Sequence, residues 1–283
     1  MNEPRRKGEI AKSRYTRPMR ATAFAGLGLA VLLAFSSARA DSGWNERSSS
    51  HFKLYEAVGF ARYSGPDGSR AFERAVLDSL EAAHDSVRDT LGVAPRNKVS
   101  VYVYEPTEFD AAFSSRFGFR AAGFWDGAVH VRGGRSFDAR LVSTLHHEYL
   151  HAALDSLAPR DLWPAWLNEG LAEYFERRAL GRDHLDAAED ARLRAAVASG
   201  AWLPLADLCG PTLAGLNQAQ AEVAYLESYF AVELIFRKAG RDRMKSLVRE
   251  LARTRMLDRA LQSALRVNLA GLESQLLAEL RAH

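Results

Sequence analysis

The segment Leu145-His146-His147-Glu148-Tyr149-Leu150-His151 places two histidines four residues apart, with a glutamate directly after the first of them. On an α-helix, positions i and i+4 share a face. The imidazoles of His147 and His151 can therefore meet one metal ion while Glu148 stands beside the open coordination position. Leu141, Val142, Leu145, Leu150, Ala153 and Leu154 give this helix an apolar side to bury, and the pattern predicts a helix over residues 137–157. Three fixed residues recur by chance, so a third ligand decides the matter. The short-spaced option is absent, because Leu154 and Leu157 stand where a glycine and a histidine or aspartate would be needed. Asp155 shares the face but lies about 12 Å along the axis from His147 at 1.5 Å per residue, too far to close a tetrahedron. That leaves a ligand from the next helix.

The next helix is expected over residues 164–180. It opens at Pro164, a favoured first-turn residue, and reads Trp163-Pro164-Ala165-Trp166-Leu167-Asn168-Glu169-Gly170-Leu171-Ala172-Glu173-Tyr174-Phe175-Glu176. His147-Glu148-x-x-His151, followed after 17 residues by Glu169 within Asn168-Glu169-Gly170-Leu171-Ala172-Glu173, closely resembles the gluzincin metallopeptidases. The W-L-N-E-G-L-A-E-Y form is most similar to bacterial peptidase MA-like domains, and more distantly to aminopeptidase N-like and thermolysin-like enzymes.

The resemblance implies a zincin-like α+β fold and one Zn²⁺ per chain, held by His147, His151 and Glu169, with Glu148 as general base and proton shuttle. Glu173, four residues after the ligand glutamate, falls where the family has a carboxylate that orients one histidine through its outer ring nitrogen. The oxyanion donor of aminopeptidase N-like relatives is a tyrosine on a downstream helix. Tyr225, 56 residues after Glu169, takes that place here, with Tyr229 as the alternative. Gly123-Phe124-Trp125-Asp126-Gly127 and the strand after it resemble the edge strand on which such enzymes align a peptide by strand addition.

Outward from these motifs, alternation and β-branched runs predict strands at 51–55, 99–104 and 128–131, with 123–127 reading as a turn-like lead into the last. Helical periods cover 71–91, 107–113, 185–198, 219–238, 241–253, 257–267 and 272–282. The serine-rich segment 41–50 reads as a disordered start of the mature chain, and 65–68 as a turn. Strands come first and helices second, which argues for an α+β arrangement with a small mixed sheet packed on a helical half. The expected division is an N-terminal α+β lobe over 41–160 that carries the active-site helix, and a helical lobe over 161–283 that supplies the third ligand.

Composition bounds the remaining readings. A chain of 283 residues, 47% hydrophobic and 26% charged, with 14 Phe and 5 Trp, builds a conventional core and is neither a disordered polymer nor collagen-like. Cys209 is the one cysteine, which excludes a disulfide framework and a cysteine-rich metal site. Residues 1–40 read as a secretory signal peptide: Arg5, Arg6, Lys7, Lys12, Arg14, Arg17 and Arg20 precede an uncharged run at 21–35, and Ala38-Arg39-Ala40 ends it. That run is 15 residues long, short of the roughly 20 that span a bilayer. Met19 would open a more ordinary signal than Met1 does.

The leader also carries the basic charge. Without it, 38 Lys and Arg fall to 30 and 35 Asp and Glu to 33, so the formal charge moves from +3 to about −3. Arginines interleaved with acids lack the clustered footprint of a nucleic-acid binder. Nothing after residue 40 is apolar enough for intramembrane proteolysis. A secreted or periplasmic location and a peptide or protein substrate are the expectation. The competing expectation is a non-catalytic, zinc-containing peptide-binding or envelope-interaction module of the same fold, which would have no need of a base at Glu148. Of the other histidines, His146 points about 100° away from His147. His51, His84, His130, His184 and His283 read as surface or satisfied core residues. Trp125, Trp163, Trp166 and Trp202 read as core or cleft walls.

Overall fold

The computed structural model describes residues 43–57, 68–116, 121–134 and 136–282, so the leader expected at 1–40, the turn at 65–68 and His283 lie wholly or mostly outside the described residues. Among the described residues five strands form one mixed sheet: β1 (Trp44–Ser48), β2 (Phe52–Ala57), β3 (Val99–Tyr104), β4 (Gly123–Trp125) and β5 (Val129–Arg132), in the order β1-β2-β3-β5-β4. β2, β3 and β5 run parallel, while β1 and β4 are antiparallel edges. Parallel neighbours require crossovers. These are supplied by α1 (Gly68–Leu91) between β2 and β3, and by α2 (Pro106–Phe113) on the path from β3 to the β4–β5 hairpin. Beyond the sheet the chain is helical: α3 (Ala139–Leu157), α4 (Ala165–Ala179), α5 (Ala187–Ser199), α6 (Gln218–Thr254), α7 (Leu257–Leu265) and α8 (Leu269–Arg281). The α+β expectation and its order of elements hold. The two helices expected at 219–238 and 241–253 are the halves of α6, parted at Gly240, whose φ of +80° and ψ of 174° are non-helical.

The strand period of two divides the sheet into two faces. Phe52, Leu54, Val101, Val103, Val129 and Val131 are buried in the core shared with α1 and α3. The opposite face carries a cross-strand stack. Tyr55 lies on Tyr102 (centroids 4.7 Å apart), Tyr102 on His130 (5.2 Å) and His130 on Phe124 (4.7 Å), each pair being register partners. His130 is a structural residue, since its ring nitrogens meet the Tyr104 hydroxyl at 2.7 Å and Asp126 Oδ1 at 3.1 Å.

Two segments depart from the sequence expectation. Residues 44–48, read as disordered, are β1. The strand is polar, so no apolar alternation marks it; backbone pairing with β2 and the edge-on packing of Trp44 against Tyr102 and Tyr104 hold it. The turn-like segment at 123–127 is β4 plus a tight reversal, in which Gly127 takes a φ of +106°.

Glu227 of α6 is fully buried, with one carboxyl oxygen accepting the Leu203 N–H at 3.0 Å. Burial outweighs that hydrogen bond and pushes its pKa up to about 8. Below about pH 4.3 folded and unfolded chains are both protonated here. Above it the unfolded chain loses its proton and the folded one does not, so this group makes stability fall with rising pH until about pH 8. Glu227→Gln keeps an acceptor for Leu203 and removes the titration. It is expected to stabilise the protein by several kcal/mol, on the order of 4, at pH 8 and to change little at pH 4. Urea unfolding at both pH values checks this, and equal shifts at the two would refute it.

Candidate active site

Helix α3 begins at Asp138, whose side chain accepts the Leu141 N–H at 2.9 Å, a sound N-cap. It buries Leu141, Leu145, Leu150, Ala153 and Leu154 and turns His147, Glu148 and His151 toward α4. From α4, Glu169 comes between the two imidazoles. Its Oε2 is 3.5 Å from His147 Nε2 and 3.7 Å from His151 Nε2, and one ligand atom from each of the three lies within 4.8 Å of the others. A tetrahedral zinc site with bonds of about 2.0–2.1 Å sets its ligand atoms roughly 3.3 Å apart, and Glu169 already stands close to that spacing from both histidines.

The outer nitrogens are also held. His147 Nδ1 lies 2.9 Å from Glu176 Oε2, and His151 Nδ1 lies 3.0 Å from Asn168 Oδ1. With Nδ1–H donating outward, each Nε2 presents its lone pair to the common point. Burial drives His151 down to about 4, which keeps it a neutral ligand near neutral pH. Burial works against protonation of His147 too, but Glu169 and Glu176 on its two sides outweigh it and raise its pKa. Two carboxylates and two imidazoles thus converge where a positive charge is at home, and the residues present fit a divalent zinc ion.

Glu148 is buried beside this point. Burial, with Glu169 and Glu176 nearby, pushes its carboxyl up to about 7 against the opposing charges of His147 and Arg160. β4 lies directly over it. A Cβ built on Gly123 would come 2.8 Å from Thr144 Cγ2 and 3.0 Å from Glu148 Cγ, so only glycine lets the strand approach this closely. Arg132 N–H donates to the Ala122 carbonyl and Asp126 N–H to the Ala128 carbonyl, facing β5. By antiparallel alternation the backbone groups of Gly123 and Trp125 point the other way, to the open edge. Arg160, in the turn between α3 and α4, donates to the Trp125 carbonyl at 3.0 Å, and the Trp125 indole donates to Asp155 at 3.3 Å.

Gly123, Trp125, His147, Glu148, Arg160 and Tyr225 share the walls of one cavity of about 300 Å³. Tyr225 comes from α6, which crosses α4 at very short range: a Cβ on Gly170 would lie 2.2 Å from the Ser228 carbonyl oxygen. Burial raises the Tyr225 phenol well above its ordinary pKa, as do the carboxylates of Glu169, Glu173 and Glu148, so it stays a proton donor. The alternative, Tyr229, is fully buried under the Arg177 guanidinium, 4.2 Å from its ring centroid, and does not line this cavity.

The carboxylate on the outer nitrogen of His147 differs from the sequence expectation. Glu173 was the expected partner, and Glu176 is the residue that makes the hydrogen bond. At 100° per residue, Glu176 returns to within about 20° of the line of Glu169, whereas Glu173 is about 40° off it. Glu173 instead accepts from Arg177 Nε at 3.2 Å. The helix face that carries Glu169, extended by one more turn, was the available signal for Glu176, and adjacency to Glu169 was the signal for Asn168. Arg160 had none, since its place depends on how the α3–α4 connection crosses β4.

The family model described as the peptidase MA superfamily matches residues 82–282, which takes in α3, α4 and α6. No curated protein matches the chain. Among the described residues no helix is long and apolar enough to cross a membrane.

Proposed function

Because this chain belongs to the peptidase MA superfamily, we propose that it is a zinc metallopeptidase, exported on the leader at 1–40 and secreted or periplasmic, that hydrolyses peptide or protein substrates. The observation that carries this reading is the meeting of His147, His151 and Glu169 at one point with Glu148 beside it, under an open strand edge. His147, His151 and Glu169 would hold one zinc ion. When bound, the ion supplies Lewis acidity, polarising the scissile carbonyl and acidifying the attacking water.

The chain's own residues do the rest. An extended substrate lies along β4, pairing with the outward backbone groups of Gly123 and the outward N–H of Trp125, while Arg160 fixes that edge by holding the Trp125 carbonyl. Glu148 takes a proton from the attacking water and passes it to the leaving amine. Tyr225 donates its hydroxyl proton in a hydrogen bond to the oxyanion as it develops. Glu176 and Asn168 keep both imidazoles in the ligating tautomer.

The test is incubation of the purified protein with a mixed peptide library, before and after zinc removal by a chelator and after zinc is restored. Cleavage that disappears and returns supports the reading. A library left whole while the protein holds zinc supports the peptide-binding alternative. Glu176→Gln is expected to weaken zinc affinity about 10- to 100-fold, and Glu173→Gln to have a smaller effect because its partner is Arg177. Competition against a zinc-binding dye measures both, and equal losses would show that the two carboxylates act alike.

A further inference from the structure

We propose that His51, Glu81 and His84 form a second site for a divalent transition ion of the Zn²⁺ type, clamping the start of β2 to the middle of α1. It is independent of the catalytic reading. Glu81 and His84 stand three residues apart on α1 and so share a face, opposite His51 in the bend before β2. One ligand atom from each of the three lies within 4.8 Å of the others. Two imidazoles and a carboxylate are the ligand chemistry that zinc prefers where thiolates are lacking.

The site has the supporting parts that a metal centre needs. Glu81 is anchored by the His51 backbone N–H, which it accepts at 2.9 Å, and its other oxygen meets His51 ring Nδ1 at 2.6 Å, a contact that the ion would replace. His84 is 4% exposed and its Nδ1 faces Asp85 Oδ1 at 3.3 Å, the arrangement that leaves Nε2 free to ligate. The side chains of His51 and Glu81 are 42% and 27% exposed, which leaves a path for an ion to enter and room for water to complete its coordination.

A further polar group lies at the back. Tyr149 of α3 is fully buried, its ring 6.0 Å from that of His84, and its hydroxyl has no hydrogen-bond partner among the described residues. The charges that act on that hydroxyl come from Glu81, Asp85 and Arg88, which places it on this side of α3. A buried phenol left unpaired beside His84 is costly unless it finds a partner, such as a water on a bound ion that donates to the phenol oxygen.

The rings of His51 and His84 stack at 3.6 Å with planes 11° apart. Parallel rings cannot both direct a nitrogen at one point, so binding turns the half-exposed His51 ring out of the stack.

The experiment equilibrates metal-depleted protein with Zn²⁺ and counts bound zinc by mass spectrometry, with circular dichroism to confirm that each variant is folded. The expected result is two zinc ions in wild type and in Glu148→Gln. One is expected in His51→Ala, in Glu81→Gln and in the double variant His147→Ala/His151→Ala. His51 and Glu81 are partly exposed, so their substitution spares the core. A wild-type count that is unchanged in both His51→Ala and Glu81→Gln overturns the second site. A single wild-type zinc that vanishes in those two variants but survives in His147→Ala/His151→Ala upholds it and overturns the catalytic assignment instead.

Discussion

Glu148→Gln is expected to lower kcat/KM for peptide cleavage by at least about 10²-fold and by as much as 10⁴-fold, with zinc still bound. The amide is nearly the size of the carboxylate, so the packing of residue 148 against β4 at Gly123 is kept. His147, His151 and Glu169 are untouched, and so are their outer partners Glu176 and Asn168. What disappears is a buried carboxylate beside the ligand triad, able to take a proton from water and return it to the amine. Steady-state cleavage of a fluorogenic peptide measures the loss. A variant that retains half of the wild-type rate would remove Glu148 from the chemistry. A variant that lost zinc as well would show that residue 148 had been acting on the metal ligands.

Gly170→Ala is expected to be the most damaging small substitution in the molecule. Its Cβ would stand 2.2 Å from the carbonyl oxygen and 2.7 Å from the carbonyl carbon of Ser228, and 2.8 Å from Val232 Cγ2. The first two neighbours are backbone inside a buried helix, so no side chain can turn aside and α4 and α6 must separate. Overpacking of this kind costs about 3 kcal/mol, at the upper end of the usual range, and lowers Tm by roughly 6–12 °C for a domain of this size. Activity should fall further than stability alone explains. Glu169 is the neighbour of Gly170 on α4, and Tyr225 is one turn before Ser228 on α6, so the same separation pulls a zinc ligand and the oxyanion donor apart. Calorimetry and kinetics on the folded fraction check both. An unchanged Tm would mean that the crossing of α4 and α6 is looser than the close approach at Gly170.

These two residues also show how far the sequence could be read. His147, Glu148 and His151 were legible because a helix forces residues four apart onto one face, and α3 had an apolar side to fix which face that is. Glu169 depended on resemblance, since spacing alone placed the third ligand only on the next helix. The strands with buried β-branched residues, Val99–Tyr104 above all, were legible from composition. β1 was not, because an edge strand held by backbone pairing and one tryptophan has no apolar period to display. Gly170 sat in plain view within the motif, yet its role comes from a backbone 58 residues away in sequence. Arg160 is a similar case, an exposed arginine in a short turn that gains meaning only because the Trp125 carbonyl ends beside it. His51 and His84 read as surface or satisfied core residues, because Glu81 is brought to both of them only across the β2–α1 connection, a closeness that no local spacing encodes.

The most direct test of the central claim is anomalous diffraction at the zinc edge from crystals of the purified protein. The expected result is a peak bounded by His147 Nε2, His151 Nε2 and Glu169 Oε2, about 2.0–2.2 Å from each, with the Glu148 carboxylate facing its open side. Crystals grown with zinc that show no peak between these three residues, while the protein still cleaves peptides, would contradict it.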